Sequence, residues 1–202
     1  MKPIFVLVHG WGFDAAFWSP LQAALPPDST LTWDLGFFGA PAQPAPPPGR
    51  PIIAAGHSFG LLWLLHHRPF AWQALAAING FTCFTARDSF PAGIAPRLLT
   101  RMTTRLGQSP APVVAGFRKT CGSAAPPPAT PDAPCLQTGL HALATWDERP
   151  APVDLALCGR SDPLVSAAMS EACFPNITWH EGGHLLPQQA PAWCATQLLR
   201  LA

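Results

Sequence analysis

The chain has 202 residues, 49% of them apolar and only 11% charged, which suits one globular domain with a full core and excludes a disordered or fibrous chain. A formal charge of +1 supplies no field for nucleic acid, and no apolar run approaches the roughly 20 residues of a membrane span. The six cysteines form no C-x-x-C pair and no metal-type cluster with histidine, so they read as buried thiols of a reducing compartment.

Ile4 to Val8 reads as a buried strand. The run is too short for a signal peptide and leads straight into His9-Gly10, so the chain is expected in the cytoplasm, as a monomer. Ala15 to Leu25 is a helix, capped by Asp14 and stopped by Pro26-Pro27. Leu31 to Leu35 is the next strand. A crossover helix should follow, but Gly36 to Arg50 is too rich in proline, and a stiff loop is expected instead. Ile52 to Ala55 is the central strand, Phe59 to His67 a helix, and Trp72 to Ile78 a strand ended by Asn79-Gly80. Val153 to Cys158 and Ile177 to Trp179 supply the last strands, with helices at Ser166 to Cys173 and Pro191 to Leu201.

Short apolar runs alternating with helical patterns indicate an α/β domain built on a parallel sheet of about six strands. The core comprises residues 1–80 and 151–202. Residues 81–150 interrupt it and read as a helical lid over the carboxyl ends of the strands.

Gly56-His57-Ser58-Phe59-Gly60 lies between the central strand and its helix. This is G-x-S-x-G in strand–turn–helix context, the nucleophile elbow of the α/β-hydrolase fold. The turn forces strained angles on the serine, and its glycines let strand and helix pass closely. The hydroxyl is left at a helix N-terminus, where negative charge is favoured.

A serine needs a base, and the base needs a carboxylate to fix its tautomer. The fold's chain order is Ser, acid, His, and Asp162 and His184 each follow a strand in that order. Asp154 sits at the wrong end of its strand, Asp147 and Glu148 lie at the lid's exit, and Asn79 carries no charge. Among the other histidines, His57 is locked in the elbow, His66 and His67 end a helix, His141 is in the lid, and His180 precedes the loop. Ser58, Asp162 and His184 are therefore the expected triad. Backbone N–H groups of Phe59 and of Trp11, in His9-Gly10-Trp11-Gly12, are the expected oxyanion donors. Nothing in the sequence indicates a cofactor.

Arg87 to Lys119 carries a balance of +5 against +1 for the whole chain. Arg97, Arg101 and Arg105 recur every four residues and share one helical face, beside an apolar stripe of Ile94, Leu98, Met102 and Leu106. Such a face is either merely solvated or suits an acidic macromolecular partner.

On these residues the chain resembles the pimeloyl-acyl-carrier-protein methyl ester esterases of biotin synthesis. His9-Gly10-Trp11-Gly12-Phe13 is similar to the family's opening motif, and Cys83-Phe84-Thr85-Ala86-Arg87-Asp88-Ser89-Phe90-Pro91 to the start of its lid. The resemblance implies that Trp11, Phe59 and Phe117 meet the substrate, and that Arg97, Arg101, Arg105 and Arg118 meet the acidic carrier protein. It departs from the family in the lost helix after Leu35, the short lid, and His57 and Phe59 beside the serine. The expected reaction is hydrolysis of that methyl ester. A general carboxylesterase or thioesterase is the alternative, as is a C–C lyase drawing on His141 in the lid.

Overall fold

The computed structural model describes residues 2–202. Among them, six strands form one parallel sheet: β1 (Ile4–Val8), β2 (Thr30–Trp33), β3 (Ile52–His57), β4 (Ala74–Ile78), β5 (Leu155–Gly159) and β6 (Thr178–His180), in the order β2-β1-β3-β4-β5-β6. Every residue of β1 and β4 is buried, as expected of strands covered on both faces.

Alternation along the strands sends side chains to two cores. Val6, Val8, Ala54, Leu75 and Ala77 face one side, where α2 (Phe59–His67) packs. Phe5, Leu7, Ile53, Ala55 and Ala76 face the other, against α1 (Ser19–Ala24) and, near the C-terminus, α7 (Leu186–Gln189) and α8 (Pro191–Leu198). Between β4 and β5 the chain forms α3 (Pro96–Gln108), α4 (Pro110–Thr120) and α5 (Ala133–Thr145), which extend the first core. The helix between β5 and β6 is α6 (Ala167–Cys173).

The segment from Gly36 to Arg50 contains no helix. It is anchored by backbone bonds between Asp34 and Ala42 and by Trp33 Nε1, which donates to the Pro44 carbonyl at 2.9 Å. Ala15 to Leu25 is not one helix: a 3-10 turn over Ala15–Trp18 precedes α1. Asp14 makes no capping bond with its side chain. The Ala15 amide instead donates to Asp34 Oδ2 at 3.0 Å, which ties this turn to the end of β2. The single turn α7 is too short to show a periodicity in sequence.

The expected stripe on α3 holds at Leu106 and, half-buried, at Met102, but not at Leu98. Leu98 is half exposed, whereas Leu99 and Leu106 are buried where α3 packs on α5 and α4. All six cysteines are free, and burial pushes the thiols of Cys158 and Cys194 up to about 11 and about 12. Among the described residues no helix is long and apolar enough to cross a membrane.

Candidate active site

Ser58 stands between β3 and α2 with φ at 53°, a left-handed conformation that strains any residue with a side chain. The surrounding contacts explain the glycines. A Cβ on Gly56 would lie 2.4 Å from the Leu61 backbone, and one on Gly60 would lie 2.2 Å from the Val8 carbonyl oxygen. The Phe59 amide opens α2 and so has no acceptor within the helix.

Asp162 and His184 come from the loops after β5 and β6. A Cβ on Gly159 would meet the Gly182 and Gly183 carbonyl oxygens at 2.4 and 2.6 Å, so the two loops touch only because residue 159 has none. His184 Nδ1 lies 2.7 Å from Asp162 Oδ2, and both side chains are buried. The other carboxylate oxygen accepts the amides of Leu164 at 2.8 Å and Val165 at 2.9 Å. Since an ionised carboxylate only accepts, the His184 proton sits on Nδ1 and the Nε2 lone pair is bare. That nitrogen is buried and has no hydrogen-bond partner. The His184 ring lies 4.8 Å, centroid to centroid, from that of His57, the neighbour of Ser58.

Above Ser58 is a cavity of about 890 Å³ between the sheet and the lid. Trp11, Phe59 and Phe117 line it together with Ser58. Phe117 meets Trp11 edge-on at 4.8 Å, and α5 also holds Trp11, whose Nε1 donates to the Leu136 carbonyl at 2.9 Å. Leu98, half exposed, and Met102, half-buried, face this space, and so do Arg101 and Arg105. Arg97 is exposed on the same helix but is not part of the wall. None of these three arginines has an acidic partner within 4.0 Å among the described residues.

Arg118 corrects the expectation drawn from resemblance. It is only 8% exposed; its Nη1 donates to the Gly12 carbonyl at 3.1 Å and its guanidinium lies 4.7 Å over the Phe13 ring. Burial lowers its pKa. Standing on α4 rather than α3, it props the loop that carries Trp11 and is too enclosed to meet a carrier protein. His141 is exposed and lines a separate, smaller pocket beside Thr104, so it offers no proton-handling group over Ser58.

Two buried groups take structural roles that the sequence does not reveal. Asn79, dismissed as uncharged, holds the His184 loop, and His9 Nε2 accepts the Leu35 amide at 3.0 Å. Burial by itself would raise the Asp34 carboxyl, but His9 and the amides of Ala15 and Gly36 reverse this and bring it to about 2. Among the described residues no cluster of three His, Cys, Asp or Glu side chains is arranged to hold a metal.

No family model matches the chain. A pimeloyl-acyl-carrier protein methyl ester esterase of Xylella fastidiosa (strain M23) is 30% identical, over 84% of this chain and 80% of the relative. One of the same name from Klebsiella pneumoniae is 32% identical, over 79% of this chain and 76% of the relative. Among solved structures, an esterase from Exiguobacterium antarcticum superposes with a TM-score of 0.79 at 16% identity, covering 100% of this chain and 92% of the other.

Proposed function

The chain belongs to the pimeloyl-acyl-carrier protein methyl ester esterase family, and we propose that Ser58, Asp162 and His184 carry its chemistry. It is a carboxylic ester hydrolase, and the substrate is the methyl ester of a pimeloyl group held on acyl carrier protein, a step of biotin synthesis. The observation that supports the catalytic roles best is the enclosed His184–Asp162 pair, which leaves Nε2 as a bare base.

Ser58 Oγ attacks the ester carbonyl while His184 Nε2 takes its proton. The Asp162 carboxylate holds the imidazole in the required tautomer and stabilises the imidazolium. The new oxyanion is met by the Phe59 and Trp11 amides, each worth roughly 3 kcal/mol in the transition state. The tetrahedral adduct collapses, methoxide leaves with the proton from His184, and the acyl group remains on Ser58. Water, deprotonated by the same nitrogen, then releases the free carboxylate and restores the hydroxyl.

The apolar cavity suits a chain of methylenes, with Phe117, Leu98 and Met102 along its wall. Arg101 and Arg105 stand at its lid side and Arg97 beside them on α3, none with an acidic partner within 4.0 Å among the described residues, as an acidic carrier requires. Six free thiols suit a reducing cytoplasm. The experiment is release of methanol from pimeloyl-carrier protein methyl ester by the purified protein, with Ser58→Ala as control. Turnover of that substrate is expected. If short p-nitrophenyl esters are cleaved and the carrier-bound ester is left intact, the general carboxylesterase reading replaces this one.

A further inference from the structure

The carbonyl oxygen of His184 is held by two donors that the reaction scheme leaves unused. His57 Nε2 lies 2.9 Å from it, and Asn79 Nδ2 lies 2.8 Å from it. Because a carbonyl only accepts, His57 carries its hydrogen on Nε2. Asn79 Nδ2 also donates to the Gly183 carbonyl at 2.8 Å, while Asn79 Oδ1 accepts the Gly159 amide at 2.7 Å. A single amide therefore joins the end of β5 to both residues of the histidine loop. It does so from a backbone φ of 45°, a conformation that Asn tolerates better than most residues.

His57 is fixed from the other side. Its ring is fully buried, stacked on Phe17 at 4.4 Å and edge-on to Phe13 and Trp18. Burial, and then the neighbouring His184, push its pKa well below the ordinary histidine value, and Nδ1 has no acceptor for a second proton. His57 therefore stays neutral in one tautomer.

The segment that carries the base needs such restraint, because Gly182 and Gly183 precede it and glycine leaves a backbone loose. We propose that His57 and Asn79 are positioning residues that pin the main chain of His184 against the elbow, while Asp162 fixes its ring. The base is then held at backbone and side chain together.

The inference rests on the triad reading, and one set of measurements separates the two. kcat and KM are measured on p-nitrophenyl butyrate for wild type, His57→Met, His57→Gln and Asn79→Asp, normalised by exhaustive fluorophosphonate labelling. His57→Met removes the donor and is expected to lower kcat about a hundredfold with KM little changed, as a misaimed base does. The Gln amide nitrogen reaches the place of Nε2, so His57→Gln is expected to recover at least about tenfold of that loss. Asn79→Asp keeps the shape but sets an oxygen against two carbonyls; it is expected to lose kcat likewise, and it carries the test if His57→Met does not fold. A His57→Met enzyme within about twofold of wild-type kcat, or a Gln variant no better than Met, overturns the clamp. Wild-type protein that is not labelled at Ser58 overturns the triad and the clamp together.

Discussion

The sheet end around Ser58 and the lid face each other across one cavity, but they are built on opposite terms. Around Ser58 the backbone comes so close that a single added carbon would collide at Gly56, Gly60 or Gly159. His184 and Asp162 are buried, and each carboxylate oxygen is occupied. The lid presents α3, whose Arg97, Arg101 and Arg105 are exposed and unpaired among the described residues, and Leu98, half exposed over the cavity. One region has no room to vary and the other has little that holds its surface side chains still. Under the proposed function, the difference assigns bond breaking to the sheet and choice of substrate to the lid.

The largest expected effect breaks the chemistry for every substrate alike. Ser58→Ala should lower kcat on both a p-nitrophenyl ester and the carrier-bound ester by on the order of 10⁵-fold or more. Asp162→Asn should cost about 10⁴-fold in kcat by favouring the wrong tautomer of His184, again equally for both substrates. Unequal losses would mean that the sheet end also selects.

The double variant Arg101→Glu/Arg105→Glu sharpens the other half of the comparison. It should raise KM for the carrier-bound ester by about tenfold or more and change p-nitrophenyl butyrate turnover far less. The wild-type KM for the carrier substrate should rise with salt, and that of the variant should not. Arg118→Met, although it changes a lid arginine, should behave like a core substitution. Thermal unfolding should register a loss of about 1–3 kcal/mol, and both substrates should suffer together because the Trp11 loop loosens.

The smallest effect concerns acid stability. The Asp34 carboxyl is lowered from 3.8 to about 2 in the folded chain. Its contribution, about 2 kcal/mol, is thus present above the unfolded value and is lost as pH falls from about 4 towards about 2. Asp34→Asn should flatten that part of the stability–pH curve measured by denaturant unfolding.

The elbow was legible because its requirement is local. Two glycines and a serine between a strand and a helix leave the turn no other geometry. Asp162 and His184 were legible because the strands before them place them at one edge. On α3 the periodicity marks Leu106 rightly but Leu98 where Leu99 is the buried residue, since it marks several faces and the packing of α5 and α4 decides which is buried. Arg118 could not be placed at all without knowing that Gly12, 106 residues away, offers its carbonyl. Asn79 was set aside for lacking charge, yet its value lies in donating and accepting at once.

The most direct test of the central claim is mass spectrometry of the protein quenched during turnover of a slowly deacylating p-nitrophenyl ester. The account predicts an acyl group on the peptide containing Ser58, formed in a burst equal to the enzyme concentration and absent from Ser58→Ala. Steady hydrolysis with no acyl adduct on that residue, or an undiminished rate in Ser58→Ala, would contradict it.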